Sequence, residues 1–163
     1  YIDDAGLDTY DSIIIVLVNS DKYGGSGGRI ICVSNNKYSV EIALHETGHD
    51  FAHLADEYDY SNYLDISMVK EMPNVDTTDN LEEIKWKYFI GVNGYEDVGA
   101  YLGGFYRNEG VWRPYEDCKM RNLGVPFCPI CREQIIKSIY DLLQEEYSFE
   151  IFLEIEKKFG KIK

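Results

Sequence analysis

Apolar positions along this chain follow two different periods. Ile13-Ile14-Ile15-Val16-Leu17-Val18 is an unbroken, largely β-branched run, and a run of that length predicts a buried strand. Ile30-Ile31-Cys32-Val33 predicts a second, shorter one. Between them Asn19 to Gly28 reads as a loop that ends in Gly24-Gly25-Ser26-Gly27-Gly28. Val40, Ala43, Leu44, Thr47 and Phe51 then recur at helical spacing. They predict a helix from Val40 to about Ala52, with Ser39 as its N-cap and Glu41 in the first turn. Residues 61–128 show little period and are punctuated by glycines, which predicts binding loops. A second helix is expected from Pro129 to Leu143, with Ile135, Ile136, Ile139, Leu142 and Leu143 as its apolar face. Beyond it Phe149, Ile151, Leu153 and Ile155 alternate with Glu150, Phe152, Glu154 and Glu156, and that alternation predicts a strand.

These elements make a mixed α/β (α+β) chain with no internal repeat. The expected division is one domain over residues 1–145 and, over 146–163, a strand leading into a following domain. The chain begins at Tyr1 without Met and carries no signal peptide, so a processed or excised piece, incomplete at its N-terminus, is expected. The length of 163 residues and 18.8 kDa suffices for one core.

Charge narrows the partners. Sixteen Lys and Arg against 29 Asp and Glu leave a net charge of −13. A phosphate-backbone binder needs a basic face, so no nucleic-acid partner is expected. No membrane insertion is expected either, because the longest apolar run is far too short to span a bilayer. Aromatic residues make up 14%, which suits a secreted or surface protein with stacking clefts.

The chemistry concentrates at His45-Glu46-Thr47-Gly48-His49. On a helix, residues i and i+4 lie on one face, so both imidazoles can reach one metal ion. Bound zinc lowers the pKa of a water molecule to roughly 7, and Glu46 stands where it can take that proton. The short pattern also arises by chance on surface helices. Here, though, every histidine of the chain lies between 45 and 53.

A catalytic zinc needs a third protein ligand and an open position. His53 lies about 12 Å from His45 along a straight helix axis, too far to share one ion. The third ligand must follow a break in the helix, and His53, Asp56, Glu57 and Asp59 all remain candidates.

His45-Glu46-Thr47-Gly48-His49 followed by Leu54-Ala55-Asp56-Glu57-Tyr58 resembles the IgA-specific zinc metallopeptidases, the igalysin branch of the metzincins, whose motif looks like HExGHxxxxLADEY. The likeness includes Val18-Asn19, Tyr23-Gly24-Gly25-Ser26-Gly27-Gly28 and Ser34-Asn35 upstream. Downstream it includes Pro73-Asn74-Val75, Gly110-Val111-Trp112-Arg113-Pro114 and Cys118-Lys119-Met120-Arg121, so it spans roughly residues 13 to 143. It implies a zincin-type, metzincin-like catalytic domain with a small twisted sheet, an active-site helix, a loop-rich lower half and a C-terminal helix. It implies Zn²⁺ held by His45, His49 and Asp56, with Glu46 as general base. Met120 would support the site from a tight turn. The implied function is a bacterial endopeptidase, secreted or attached to the cell surface, that hydrolyses a protein substrate. The immunoglobulin A heavy chain is the candidate substrate.

The chain departs from the pattern twice. Ala52 stands where metzincins usually have Gly at the turn after the second His, so either Ala52 stays helical and the break comes later, or the turn is strained. Asn122 stands where some metzincins have a Tyr, which leaves Tyr106 and Tyr115 as candidates to stabilise an oxyanion. In a zincin, Ile30 to Val33 would be the edge strand that receives an extended substrate. The Gly24 to Gly28 loop would be a flexible rim near it.

Cys128-Pro129-Ile130-Cys131 opens a helix, a setting that lowers a thiol pKa. A thioredoxin-like role wants a βαβ setting that is not found, and Cys32 and Cys118 are too scattered to complete a structural zinc site. The favoured expectation is a disulfide from Cys118 to Cys128 or Cys131 that ties the Met-turn to the last helix, with free buried thiols as the alternative. Asp76 to Glu83 reads as a solvated face, and calcium binding there or at Asp3 and Asp4 lacks any EF-hand spacing. Trp86, Tyr88 and Phe89 read as core. Arg107, Arg113 and Arg121 are expected to pair with acidic loops. Two functions of other classes stand beside the peptidase. One is a non-catalytic zincin-fold module that binds host or glycosylated proteins, against which the intact Glu46 counts. The other is a thiol redox module.

Overall fold

The computed structural model describes residues 12–28, 30–60 and 65–160. The chain divides into two compact units, residues 1–53 and 54–163. Together they are a mixed α+β arrangement of two small sheets and three α-helices among the described residues. No described helix is long and apolar enough to cross a membrane. Asp3 and Asp4 lie outside the described residues.

In the first unit, β1 (Ile14–Val18), β2 (Gly25–Ser26) and β3 (Ile30–Ser34) form one sheet in the order β1-β3-β2. β1 runs parallel to β3, with Ile14 opposite Ile30 and Val18 opposite Ser34. β2 runs antiparallel to it, with Gly25 opposite Val33 and Ser26 opposite Cys32. Two expectations change here. β3 is the middle strand and not the edge, because two residues of the glycine loop pair with it. β1, expected to be buried, is largely exposed, from 43% at Val16 to 61% at Leu17. It is an outer strand of the described sheet, so only β3 flanks it.

The helix α1 spans Ser39–Ala52. Its N-cap is Tyr38, not Ser39. The Ser39 hydroxyl instead donates to the Ser34 carbonyl at 2.7 Å and so ties the end of β3 to the start of α1. The expected apolar face is also displaced. Val40 and Leu44 are exposed, while Ile42, His45, Gly48 and Ala52 are buried. Packing on β2 and β3 chose the face that carries His45 over the more hydrophobic one. Gly25 permits that packing, since a Cβ there would stand 2.2 Å from Cγ2 of Ile42.

The second unit begins with an extended segment, residues 54–59, and contains two short 3₁₀ turns, Ile66–Glu71 and Lys87–Phe89. It also contains a hairpin that the sequence pattern hid. β4 (Tyr101–Gly104) pairs antiparallel with β5 (Arg107–Arg113) through a two-residue turn. Phe105 and Tyr106 both adopt positive φ there, 50° and 60°. Such turns favour Asn-Gly, so a Phe-Tyr turn gives no sequence signal. Phe105 is held in place by its burial with Ala55, Val69, Val75 and Val111. Trp86 and Phe89 are core as expected, whereas Tyr88 is 41% exposed. Asp76 is buried rather than solvated, and its carboxylate accepts from the backbone N–H groups of Thr77 and Lys85.

The helix α2 spans Pro129–Leu143, as the period predicts. The expected strand over 146–163 is instead a helix, α3 (Phe149–Lys158). The strand reading assigned Phe152 to the solvent side. Phe152 is fully buried against Phe89 and Tyr95, at ring separations of 5.6 and 5.9 Å. Glu156, one turn on, is also buried and pairs with Arg132 at 2.5 Å. Burial at 152 and 156 has the period of a helix and not of a strand. Phe152→Ala should therefore cost about 3–5 kcal/mol in urea unfolding, with a much smaller loss for Leu153→Ala. The reverse order would restore the strand.

Candidate functional site

His45 and His49 sit one turn apart on α1, and their Nε2 atoms are 3.1 Å apart. Two nitrogens bound tetrahedrally to zinc at about 2.0–2.1 Å stand about 3.3 Å from each other. The pair is thus spaced for one ion, and two imidazoles are a donor set that suits it. His45 is buried and His49 half-buried. His53 does not join them in any metal-ligating group. It is the residue at which α1 ends, with φ 52° and ψ 33°, and it is exposed. Ala52 keeps its helical conformation, so the break expected after the second His comes one residue later than a glycine at 52 would place it.

Glu46 lies between the two histidines in sequence and is half-buried. Gly27, in the loop after β2, packs directly on it. A Cβ at Gly27 would stand 2.3 Å from Oε2 of Glu46 and 3.6 Å from Cδ2 of His49. The loop expected as a rim is therefore in contact with the candidate general base, and the bare backbone of Gly27 leaves room for the carboxylate.

Asp56 lies in the extended segment of the second unit. Its carboxylate accepts a hydrogen bond from the Tyr106 hydroxyl. Its carbonyl accepts from the Phe105 N–H at 2.8 Å, and the Tyr58 carbonyl accepts from the Tyr106 N–H at 2.7 Å. Burial and the adjacent Asp56 charge both push the Tyr106 phenol well above its ordinary range, so it stays a donor at neutral pH. Tyr106 is thus committed to Asp56. Tyr115 donates to Asp97 at 3.2 Å.

On the other side of the same segment, Glu57 is fully buried. Its N–H donates to the Met120 carbonyl at 2.8 Å. Met120 is itself fully buried, next to a turn in which the Arg121 and Asn122 N–H groups both donate to the Cys118 carbonyl. Arg121 donates to the Glu57 carbonyl at 2.9 Å and forms an ion pair with Asp59 at 2.9 Å. The expected pairing of Arg113 with an acidic loop is replaced by hydrogen bonds to the carbonyls of Leu102, Gly103 and Glu116.

The expected disulfide is absent. All four cysteines are free, and Cys118, Cys128 and Cys131 are buried. Cys118 lies within 3.6 Å of Cys131, sulfur to sulfur. Glu57 joins these three thiols, although its place in the sequence makes it a candidate only for the histidine pair.

A helix that offers two imidazoles to one point, with a carboxylate next to the first, is the equipment of a metal-dependent hydrolase. The family model described as IgA Peptidase M64 matches residues 3–95 and 91–139. The chain belongs to that family, which places it among the metallopeptidases. No curated protein matches the chain.

Gly27→Ala should displace the Glu46 carboxylate without unfolding the sheet. Peptide hydrolysis is expected to fall about 100-fold, the scale of an ångström-sized misplacement, while the unfolding free energy stays within about 1 kcal/mol of wild type. Equal loss of both would mean that Gly27 serves packing alone.

Proposed function

We propose that this peptidase is a zinc-dependent endopeptidase acting outside the cell, with metzincin-like architecture. In this reading His45, His49 and Asp56 hold the metal and Glu46 is the general base. The observation that carries it is the 3.1 Å pair of imidazole nitrogens on α1 with Glu46 beside it. Family membership adds support. Asp56 is chosen over His53 because the Tyr106 hydroxyl and one backbone bond hold it, whereas His53 is an exposed helix terminus that joins no ligand group among the described residues. A zinc ion held there supplies a Lewis acid that polarises the scissile carbonyl and acidifies water.

The chain's own residues do the rest. Glu46 accepts the proton of the attacking water on its carboxylate and then passes it to the departing amine. Gly27 keeps that carboxylate in place. Tyr106 holds the Asp56 carboxylate in one orientation by donating to it, and partners of this kind are typically worth 10–100-fold in metal affinity. The net charge of −13 opposes acidic substrates. Immunoglobulin A, the substrate in the family's name, is the first candidate.

Glu46→Ala should bind metal and fold as the wild type does, yet lose at least about 100-fold in cleavage of intact immunoglobulin A. Cleavage by that variant at the wild-type rate would overturn the assignment. Asp56→Asn and Tyr106→Phe should both weaken zinc binding in competition with a chelator, the first more than the second, and His53→Ala should leave it unchanged. The opposite pattern would make His53 the third ligand.

A further inference from the structure

The second unit contains a group of donors that peptide hydrolysis does not use. Cys118, Cys128, Cys131 and Glu57 each bring one donor atom to a common point, and these atoms lie within 4.8 Å of one another. Two of the spacings are tighter. Cys118 and Cys131 are 3.6 Å apart between sulfurs, and Cys131 Sγ is 3.6 Å from Oε1 of Glu57. A tetrahedral zinc with S at about 2.3 Å and O at about 2.1 Å would require about 3.8 Å and about 3.6 Å for such pairs. A disulfide requires about 2.05 Å.

Burial makes the arrangement hard to explain as packing. Three glutamates are buried in this unit: Glu57, Glu133 and Glu156. Glu133 is bonded by Tyr88 and Tyr147 and paired with Lys137, and both oxygens of Glu156 are bonded by Arg132. Glu57 differs. Asn74 donates to its Oε1 at 2.9 Å, but Oε2 has no hydrogen-bond partner among the described residues. A buried carboxylate without a full set of partners costs several kcal/mol. The neighbouring thiols cannot neutralise a charge, but a cation at the centre of the four donors can.

We propose that Cys118, Cys128, Cys131 and Glu57 form a second, structural metal site, closed and tetrahedral, for a thiophilic divalent ion of the zinc class. The surroundings fit that role. Cys128 is the N-cap residue of α2 and Cys131 lies in its first turn, where the helix dipole favours anionic sulfur. The Cys128 N–H donates to the Cys118 sulfur at 3.2 Å, as amides do around metal thiolates. Four protein donors leave no open position, which is the mark of a structural zinc site rather than a catalytic one. On loading, the three thiol protons pass to solvent and the ion takes their place. The site joins the segment of Asp56 and Glu57, the Met120 turn and the start of α2.

The proposal does not depend on the catalytic reading, so the test removes the other candidate site first. His45→Ala/His49→Ala protein is prepared under reducing, oxygen-free conditions, stripped by a chelator and titrated with Co²⁺. A sulfur-to-cobalt charge-transfer band that saturates at one ion per chain is the expected result. In the zinc-loaded variant the three buried cysteines should resist a thiol reagent, and chelation should expose all three and lower the melting temperature. Cys118→Ser in the same background should lose most of the cobalt band. If that variant fails to fold, the thiol-protection measurement on the parent variant still decides. A titration without the charge-transfer band would overturn the site. So would a disulfide among the three in protein denatured and alkylated as isolated.

Discussion

The extended segment Leu54–Asp59 is the constraint on which the second unit depends. It belongs to no sheet, yet its backbone polar groups are met from several directions. The Asn74 side chain takes both the N–H and the carbonyl of Ala55. The hairpin turn takes the carbonyls of Asp56 and Tyr58, and Met120 and Arg121 take the N–H and carbonyl of Glu57. A segment so bonded is held in one conformation. In it Asp56 meets Tyr106, while Glu57 enters the cysteine cluster. The cost of the left-handed Phe105-Tyr106 turn is understandable here. Only that tight turn brings two successive N–H groups against the segment, and burial of Phe105 helps to hold it.

What was legible in the sequence was local. The residues of α1 and α2 are set by helical spacing, and the His45–His49 pair depends on nothing beyond one helical turn. α3 reads as a strand because a period-two pattern tolerates one exception, and Phe152 looks like that exception although it is the buried anchor. The hairpin was missed because its turn uses aromatic residues held by tertiary burial rather than by their own propensity. The face of α1 was misjudged for a related reason. Helix periodicity reveals that a stripe exists, but Gly25 and β3 decide which stripe is covered.

The two candidate metal centres differ in the same way. One is written in a five-residue word. The other gathers Glu57, Cys118 and the pair at 128 and 131 across 74 residues of chain, so no spacing rule could assemble it. The cysteine pair alone suggested redox chemistry or a disulfide. The buried carboxylate that changes this reading sits inside the motif assigned to catalysis, where it passes for filler between Asp56 and Tyr58.

Adjacency of Asp56 and Glu57 has a mechanical consequence. Neighbouring residues on a segment held by these bonds are linked through one backbone, so a shift at one side chain is felt at the other. An ion that draws Glu57 toward the three sulfurs fixes the φ and ψ values that also aim Asp56. The Met120 turn is drawn into the same frame through the Glu57 N–H, and α2 through Cys128 and Cys131. The proposed role of Asp56 as a ligand calls for a carboxylate held to a tight tolerance. A closed ion site one residue away would add rigidity to that of the hydrophobic cluster around Ala55.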